Sequence, residues 1–426
     1  MLEKRQPIAV ETAVERVAAC IKTLPIIEKP LEEADGDILA ESVIADHDVP
    51  PFDRSPYDGY AIRAEDTAQA SRTEPVRLRV VEKIGAGDVA KKAIEPGTAI
   101  RIMTGAAMPK GADAIVKLEL TREEGDAVWI NRRFHSGDNL SLQGEDAKKG
   151  TPILDAGRPI TPGVKAVLAT FGYARVKVYK KPTVGVIATG SELLDINDPL
   201  VPGKIRNSNA YMILSQIKKA GGIPLDLGRM ADDFEQSYRA VKRGLDVADV
   251  LITTGGVSVG DFDYLPAIYK KLGAEVLFNK VAMRPGSVTT VARLGDQLLF
   301  GLSGNPSACF VGFELFAAPY IKGLQGNRLP YLTKMKAVLG HDFPKANPFT
   351  RFVRAKVTWE EGDRAIVRPV GLDKSNAVVS LAETNALMVL PGGTKGYEKG
   401  ALVDILLLFG EGRGEFSIEN LSGHRV

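Results

Sequence analysis

The 426 residues exceed what one hydrophobic core organises, and the length predicts about three domains. Lys and Arg number 55 and Asp and Glu 53, a formal net charge of +2 that offers no broad basic field to a polyanionic backbone and excludes nucleic acid as a partner. Cys20 and Cys309 lie far apart outside any Cys-x-x-Cys pattern, and His47, His135, His341 and His424 never fall at metal-ligand spacing. Disulfide stapling and a structural zinc site are therefore excluded, while a hard cation bound by carboxylates is not. The longest apolar stretches, such as residues 401–409, are too short to span a bilayer, and residues 1–6 carry no apolar export signal. The expectation is a soluble, cytoplasmic protein with no membrane partner.

Taken in chain order, residues 7–24 set Val10, Val14, Val17, Ala18 and Ile21 at helical spacing before Pro25 and Pro30, which predicts a surface helix with one buried stripe. From residue 46 to residue 152 short alternating runs (76–80, 114–120, 127–130) alternate with Gly, Pro and Asp clusters, the texture of a β-rich module. Residues 161–171 read as helix again, so the β-rich stretch is expected to interrupt one helical, linker-like domain. Three later apolar strands each run into a glycine turn. Val184-Gly185-Val186-Ile187-Ala188 leads to Thr189-Gly190-Ser191-Glu192, Val250-Leu251-Ile252-Thr253-Thr254 to Gly255-Gly256-Val257-Ser258-Val259-Gly260-Asp261, and Leu298-Leu299-Phe300 to Gly301-Leu302-Ser303-Gly304-Asn305-Pro306. Repeated βα units of this kind predict a mainly parallel sheet with helices on both faces. Strand patterns return at 351–359, 365–370, 386–390 and 401–409, predicting a small β-barrel or sandwich.

Ligands of an open parallel sheet bind beyond the carboxyl ends of its strands, where all three glycine turns fall. The 254–261 turn is the best anion cradle, because glycines let successive N–H groups point inward and a helix expected to start near Asp263 adds its positive end. One glycine turn requires no ligand; three on one edge point to one. No Gly-x-x-x-x-Gly-Lys-Ser/Thr run occurs, which disfavours a P-loop nucleotidase. Glu192, Asp232, Asp233, Asp261 and Asp263 decorate the same turns. Each alone reads as a helix cap, but acid beside an anion cradle repels the ligand unless a divalent cation intervenes. Lys280 and Arg284, an even number of residues apart, are expected to share one side of an extended segment and to suit a small dianion.

With these residues in place the chain resembles the molybdopterin molybdenumtransferase family, whose relatives include the C-terminal domain of gephyrin. Pro51-Phe52-Asp53-Arg54-Ser55-Pro56-Tyr57-Asp58-Gly59-Tyr60-Ala61 resembles the family's signature turn. Arg101-Ile102-Met103-Thr104-Gly105-Ala106, with Pro109 and Gly111-Ala112-Asp113-Ala114, resembles the second motif of its β domain, and Gly144-Glu145-Asp146 the third. The three glycine turns resemble its pterin-binding domain. Six motifs in order, over almost the whole chain, make chance agreement negligible.

The resemblance implies an α/β multidomain protein: a central, mainly parallel α/β sandwich of molybdopterin-binding type, a β-rich insertion, a helical linker domain and a C-terminal β-barrel. The expected boundaries are 1–45 with 153–182 for the linker, 46–152 for the insertion, 183–329 for the α/β domain and 330–426 for the barrel. It implies an elongated homodimer whose active sites are shared between subunits, and a reaction in which adenylylated molybdopterin and molybdate yield molybdenum cofactor and AMP with Mg²⁺. An adenylyltransferase would supply the substrate and acceptor molybdoenzymes would take the product. Carried over by motif, Asp58, Asp146, Asp232, Lys280 and Arg284 are the catalytic residues, and Glu192 and Asp263 hold the cation. Thr189, Gly190, Ser191, Thr254, Gly255, Gly256, Val257, Ser258, Gly260, Ser303, Gly304, Asn305 and Pro306 bind substrate, with Arg354 and Ser380 contributing from the C-terminal part.

The chain departs from the family pattern at Arg284, where Lys is usual, at Gly286-Ser287-Val288, which usually reads Gly-Lys-Pro, and at Ser303, where Pro is usual. The first two alter the cations expected around molybdate; the third is expected to be tolerated, since Ser also suits turns. Three other readings compete. A tungstate-preferring insertase is separated by no sequence feature, since the two oxyanions nearly match in size and charge. A molybdopterin adenylyltransferase would lack the Asp58 turn, the insertion and the C-terminal strands, and a scaffold of the gephyrin type would carry an extra domain and a long linker.

Overall fold

Successive residues of a strand point to opposite faces, and the apolar strands between residues 183 and 302 feed two cores in this way. Val184, Val186, Val250, Ile252, Leu298, Phe300 and Leu302 enter one core, and Ile187, Leu251 and Leu299 the other. The computed structural model describes residues 5–230, 233–256, 264–345, 348–360 and 364–408. It divides into two units, and this sheet belongs to the one comprising Met1–Ala40, Gly157–Ile160 and Val176–Val426. The strand order is Ile223–Met230, Thr183–Thr189, Val250–Thr254, Gln297–Leu302, Thr290–Leu294, Glu275–Phe278. The first four run parallel, as expected, and the last two form an antiparallel edge that the sequence reading did not separate.

Helices cover both faces. Ser208–Lys219 and Pro306–Gly312 pack on the first, Phe234–Val247 and Leu265–Leu272 on the second. The predicted N-terminal helix is shorter than its periodic pattern, spanning Val10–Ala18. Its end is set by tight turns in which the N–H groups of Cys20 and Ile21 donate three residues back, to Val17 and Ala18. Val10, Ala13 and Val17 form the buried stripe and join the first core.

The C-terminal strands resolve the choice between barrel and sandwich. Thr350–Glu360 pairs with Arg364–Pro369 through its second half and with Ala386–Leu390 through its first. Thr333–Leu339 and Leu402–Leu407 complete the circuit, closing a five-stranded barrel around Leu339, Val353, Val357, Val367, Met388 and Ile405. The short strand Met283–Arg284 adds to it in parallel, Arg284 pairing with Arg351.

The second unit, Glu41–Ala156 with Thr161–Arg175, holds a six-stranded sheet in the order Ala114–Lys117, Gly59–Ile62, Thr98–Ile102, Val76–Ile84, Ala127–Ile130, Thr121–Glu124. The run expected as one strand over 114–120 turns into a 3-10 helix at Leu118–Leu120. The helix expected at 161–171 spans Pro162–Thr170, with the Thr161 hydroxyl accepting from the Val164 N–H. Among the described residues no helix is long and apolar enough to cross a membrane.

The first core predicts its own weak point. Phe300 is fully buried on the central strand, its ring 5.7 Å from that of Tyr320. Phe300→Ala is expected to cost about 3–5 kcal/mol, because the surrounding elements refill such a void only in part. Urea titration followed by circular dichroism checks this, and a midpoint equal to the parent's would contradict the packing described.

Candidate functional site

Parallel register brings the three glycine turns together at one sheet edge. Ala188 pairs with Thr254 and Thr254 with Leu302, so Thr189, Gly255 and Ser303 lie one residue beyond the paired ends. The Gly255 N–H continues the ladder by donating to Leu302 O at 2.9 Å, and the Thr189 hydroxyl donates to Thr254 O at 3.1 Å. Gly255 (φ +92°) and Gly256 (φ +67°) are both left-handed, and a Cβ on Gly255 would lie 2.5 Å from Thr189 Oγ1. Only glycine fits there, for conformational and steric reasons together. A Cβ on Gly304 would in turn come within 3.6 Å of Gly255 Cα, so the second and third turns lie back to back.

The remaining rim residues are held by local bonds. The Asn305 N–H donates to Ser303 Oγ at 3.2 Å, a serine turn that accounts for Ser at this position, and Pro306 opens the helix that follows. Asn209 Nδ2 donates to Gly304 O at 2.8 Å and is a rim residue the sequence reading missed. Its position at the start of a helix gave a capping signal at most. After the first turn, Ser191 O accepts from Lys204 Nζ at 2.5 Å and Glu192 O from the Ile205 N–H at 2.9 Å. The exposed Glu192 carboxylate folds back over Gly190, filling the space a side chain there would need.

Val257, Ser258, Gly260, Asp232 and Asp263, like Asp261, lie outside the described residues. Asp233 is a cap, its carboxylate accepting from the Gln236 N–H at 2.8 Å. Among the described residues no three His, Cys, Asp or Glu side chains gather as a metal cage.

A second feature of the same unit is a basic cavity of about 330 Å³ lined by Arg284, Pro285, Gly286, Ser287, Arg351, Arg354, Asp373, Lys374 and Ser375. Arg354, only 1% exposed, is pinned from several directions: Nε donates to Ser380 Oγ at 2.9 Å, and Nη2 to Leu372 O at 2.7 Å and Lys374 O at 3.3 Å. Its Nη1 is buried without a hydrogen-bond partner among the described residues, and so is Arg351 Nε. Burial draws the Arg354 guanidinium below its ordinary pKa and nearby Asp373 pulls it back up; a guanidinium this basic stays charged. Arg354 and Ser380, expected separately as contributors from the C-terminal part, are thus joined by a direct bond. Lys280 does not line this cavity. The segment between it and Arg284 is not continuously extended, because the Met283 N–H donates to Val281 O at 2.8 Å in a three-residue turn, so the parity argument fails there. Arg351, Asp373, Lys374 and Ser375 were missed; strand pairing sets Arg351 opposite Arg284, and the folded cavity brings in the other three.

The second unit gathers the three N-terminal motifs. Arg54 bridges to both Ala107 and Ser141, and Val49 to Ala147. The Gly105 N–H donates to Ser55 O at 2.8 Å, and the Gln143 N–H to Asp53 Oδ1 at 2.7 Å. Asp58 is exposed, its Oδ1 accepting from the Thr104 N–H at 2.7 Å and the Thr104 hydroxyl at 2.9 Å. Asp146 is exposed on the third motif, its N–H donating to Val49 O at 3.0 Å.

The Thr104 backbone bond, then its hydroxyl bond, holds Asp58 below its ordinary pKa. The ionised form is favoured on folding, so the associated stabilisation is present above the unfolded-state pKa and lost as pH falls through the folded one. Thr104→Val removes the hydroxyl donor and keeps the N–H. The Asp58 carboxyl is expected to titrate at higher pH in this variant, read by carbon-detected NMR; an unmoved titration would exclude the bond as a cause.

Three family models match the chain: residues 8–172 match the MoeA N-terminal region (domain I and II), residues 185–323 a probable molybdopterin binding domain, and residues 336–408 the MoeA C-terminal region (domain IV). A molybdopterin molybdenumtransferase of Bacillus subtilis (strain 168) is 58% identical over 426 residues, 99% of each chain. One from Staphylococcus aureus (strain COL) is 51% identical over 410 residues, covering 96% of this chain and 97% of its own. Among solved structures, a molybdopterin biosynthesis MoeA protein from Pyrococcus horikoshii OT3 superposes with a TM-score of 0.81 at 32% identity, over 94% of this chain and 100% of that one.

Proposed function

The chain belongs to the molybdopterin molybdenumtransferase family, and from that premise and the cavity around Arg354 we propose that it inserts molybdenum from molybdate into adenylylated molybdopterin, releasing AMP. Transferase activity in molybdenum cofactor biosynthesis follows from the family itself. The observation that carries the finer reading is the Arg354 Nη1 donor, buried and unpaired among the described residues, in a cavity that also holds Arg284, Arg351 and Lys374. A buried charged donor left without an acceptor costs about 1–3 kcal/mol or more, which an oxyanion restores on binding.

Both reactants are anionic, and two like charges near 4 Å repel by about 4 kcal/mol at an effective dielectric of 20. Fixed guanidinium groups offset that repulsion without reorganisation. In the proposed reaction two Mo–S bonds form to the dithiolene, one Mo–O bond breaks and the departing oxygen leaves as water with two protons. One water cleaves the phosphoanhydride to free AMP. Thr189, Gly190, Ser191, Thr254, Gly255, Gly256 and the turn from Ser303 to Pro306 would cradle the pterin phosphates through backbone N–H groups, and Val257, Ser258 and Gly260 keep their proposed substrate-binding role.

Mg²⁺ binds through one or two carboxylates plus phosphate oxygens and water, without an all-protein cage. An exposed Glu192 carboxylate beside the first turn fits that requirement, and Glu192 with Asp263 would hold the ion, which supplies charge neutralisation at the phosphoanhydride. Asp58, held ionised, is unsuited to proton donation and suits a cation or a hydrogen-bond donor of the substrate. Asp146, Asp232 and Lys280 keep their proposed catalytic roles, and the shared-site homodimer and a cytoplasmic location belong to the same proposal.

The test mixes purified protein, adenylylated molybdopterin and Mg²⁺ with graded molybdate or tungstate, and follows AMP release and activation of a cofactor-free molybdoenzyme. AMP release is expected to rise with oxyanion concentration, and Arg354→Gln to abolish that dependence. Release indifferent to oxyanion would leave only a hydrolase. Glu192→Gln is expected to raise the Mg²⁺ concentration needed for half-maximal release by about tenfold or more; an unchanged Mg²⁺ profile would remove Glu192 from the metal role.

A further inference from the structure

Resting on that reading of the basic cavity, we propose that Arg351 is a further fixed cation of the oxyanion site, its Nε–H contacting the bound oxyanion directly while Asp373 and Lys345 hold it in place. Parallel pairing of Met283–Arg284 with the start of Thr350–Glu360 sets Arg351 opposite Arg284, one of the cavity's other cations. Along this strand Val353, Ala355 and Val357 point into the barrel, and by alternation Arg351 starts on that side and Arg354 on the other. Both nonetheless line one cavity, because Arg351 stands at the strand's first residues, where a long side chain can turn around the barrel's end. Its guanidinium carbon lies 5.8 Å from the centre of the Phe343 ring, itself part of the barrel core.

The guanidinium is oriented by one of its nitrogens and left open at another. Nη1 meets Asp373 Oδ2 at 2.8 Å, both side chains being nearly buried. Nε is buried and lacks a hydrogen-bond partner among the described residues. Asp373 does not cancel the local charge, since Lys345 Nζ reaches the same Oδ2 at 3.0 Å. The group of Arg351, Asp373 and Lys345 therefore carries one net positive charge, with the planar fork of Arg351 fixed. Arg354 repeats the pattern, held by Nε and Nη2 and open at Nη1. Two rigid forks with one open N–H each suit a tetrahedral dianion, whose oxygens point in several directions at once.

Molybdate binding to the full-length protein, measured by isothermal titration without pterin, tests this in the parent, Arg354→Gln, Arg351→Gln and Arg351→Lys, each with a thermal melt. Arg351→Gln is expected to weaken binding by about tenfold or more, and Arg351→Lys by less, since it keeps the charge and loses the Nε–H. Parental affinity in Arg351→Gln together with loss in Arg354→Gln would reduce Arg351 to an ion-pair partner of Asp373 and overturn this proposal alone. Parental affinity in both would instead overturn the oxyanion reading of the cavity. If Arg351→Gln melts early, Arg351→Lys decides, and parental affinity in it overturns the Nε–H contact.

Discussion

An ionised group withdrawn from water must find compensation, and the way Arg354 finds it shapes the whole basic cavity. Its fixed bonds go to neutral oxygens, those of Ser380, Leu372 and Lys374, which satisfy N–H groups without cancelling charge. The carboxylate that acts on it, Asp373, is itself shared between Arg351 and Lys345. Transfer of a charge to low dielectric costs several kcal/mol even after relaxation, and an Nη1 with no partner among the described residues adds to that cost. Such an arrangement stabilises little in the unliganded chain. Its physical sense lies in what it offers an anion: donors already oriented, with no strong internal acceptor to displace first.

The same loop that satisfies Arg354 also reaches the rim of the parallel sheet. Ser307, three residues past Gly304, donates its N–H to Ser375 O at 3.0 Å and its hydroxyl to Ala377 O. Leu372 and Lys374, just upstream, accept from Arg354. One stretch of about ten residues thus fixes both the helix that opens at Pro306 and the guanidinium of the barrel strand, and a displacement at either would be felt at the other through backbone carbonyls. Under the proposed reading, this mechanical link would tie the small barrel to the chemistry at the rim of the α/β domain.

Much of this was legible in the sequence wherever a local pattern sufficed. The apolar runs gave the parallel strands because strand periodicity is written in adjacent residues, and the glycine turns followed from the need for left-handed conformations at Gly255 and Gly256. The antiparallel edge was not legible, since Glu275–Phe278 and Thr290–Leu294 alternate too weakly to be told from loops. Lys280 and Arg284 were joined by an assumption of continuous extension that the turn at Val281 breaks. Arg351 was invisible for a different reason. Its parity on the strand opposes that of Arg354, and only non-local pairing with Met283–Arg284 and the end of the barrel bring both arginines to one cavity.

Protonation divides the labour among the remaining charges. Under the proposed reaction the departing oxygen takes two protons, so a competent donor must hold a proton near neutral pH. Asp58 is displaced the other way by its two bonds from Thr104, and Glu145 likewise by the Ser141 hydroxyl and the Leu142 N–H. These carboxylates of the β-rich unit remain acceptors throughout the physiological range, suited to binding a cation or an N–H of the pterin. The guanidinium groups of the cavity donate hydrogen bonds and accept none. In the proposed reaction the two dithiolene thiols would release the two protons that the departing oxygen takes, since each Mo–S bond forms from a thiolate. On this account the protein supplies charge and position, and the protons move within the reactants.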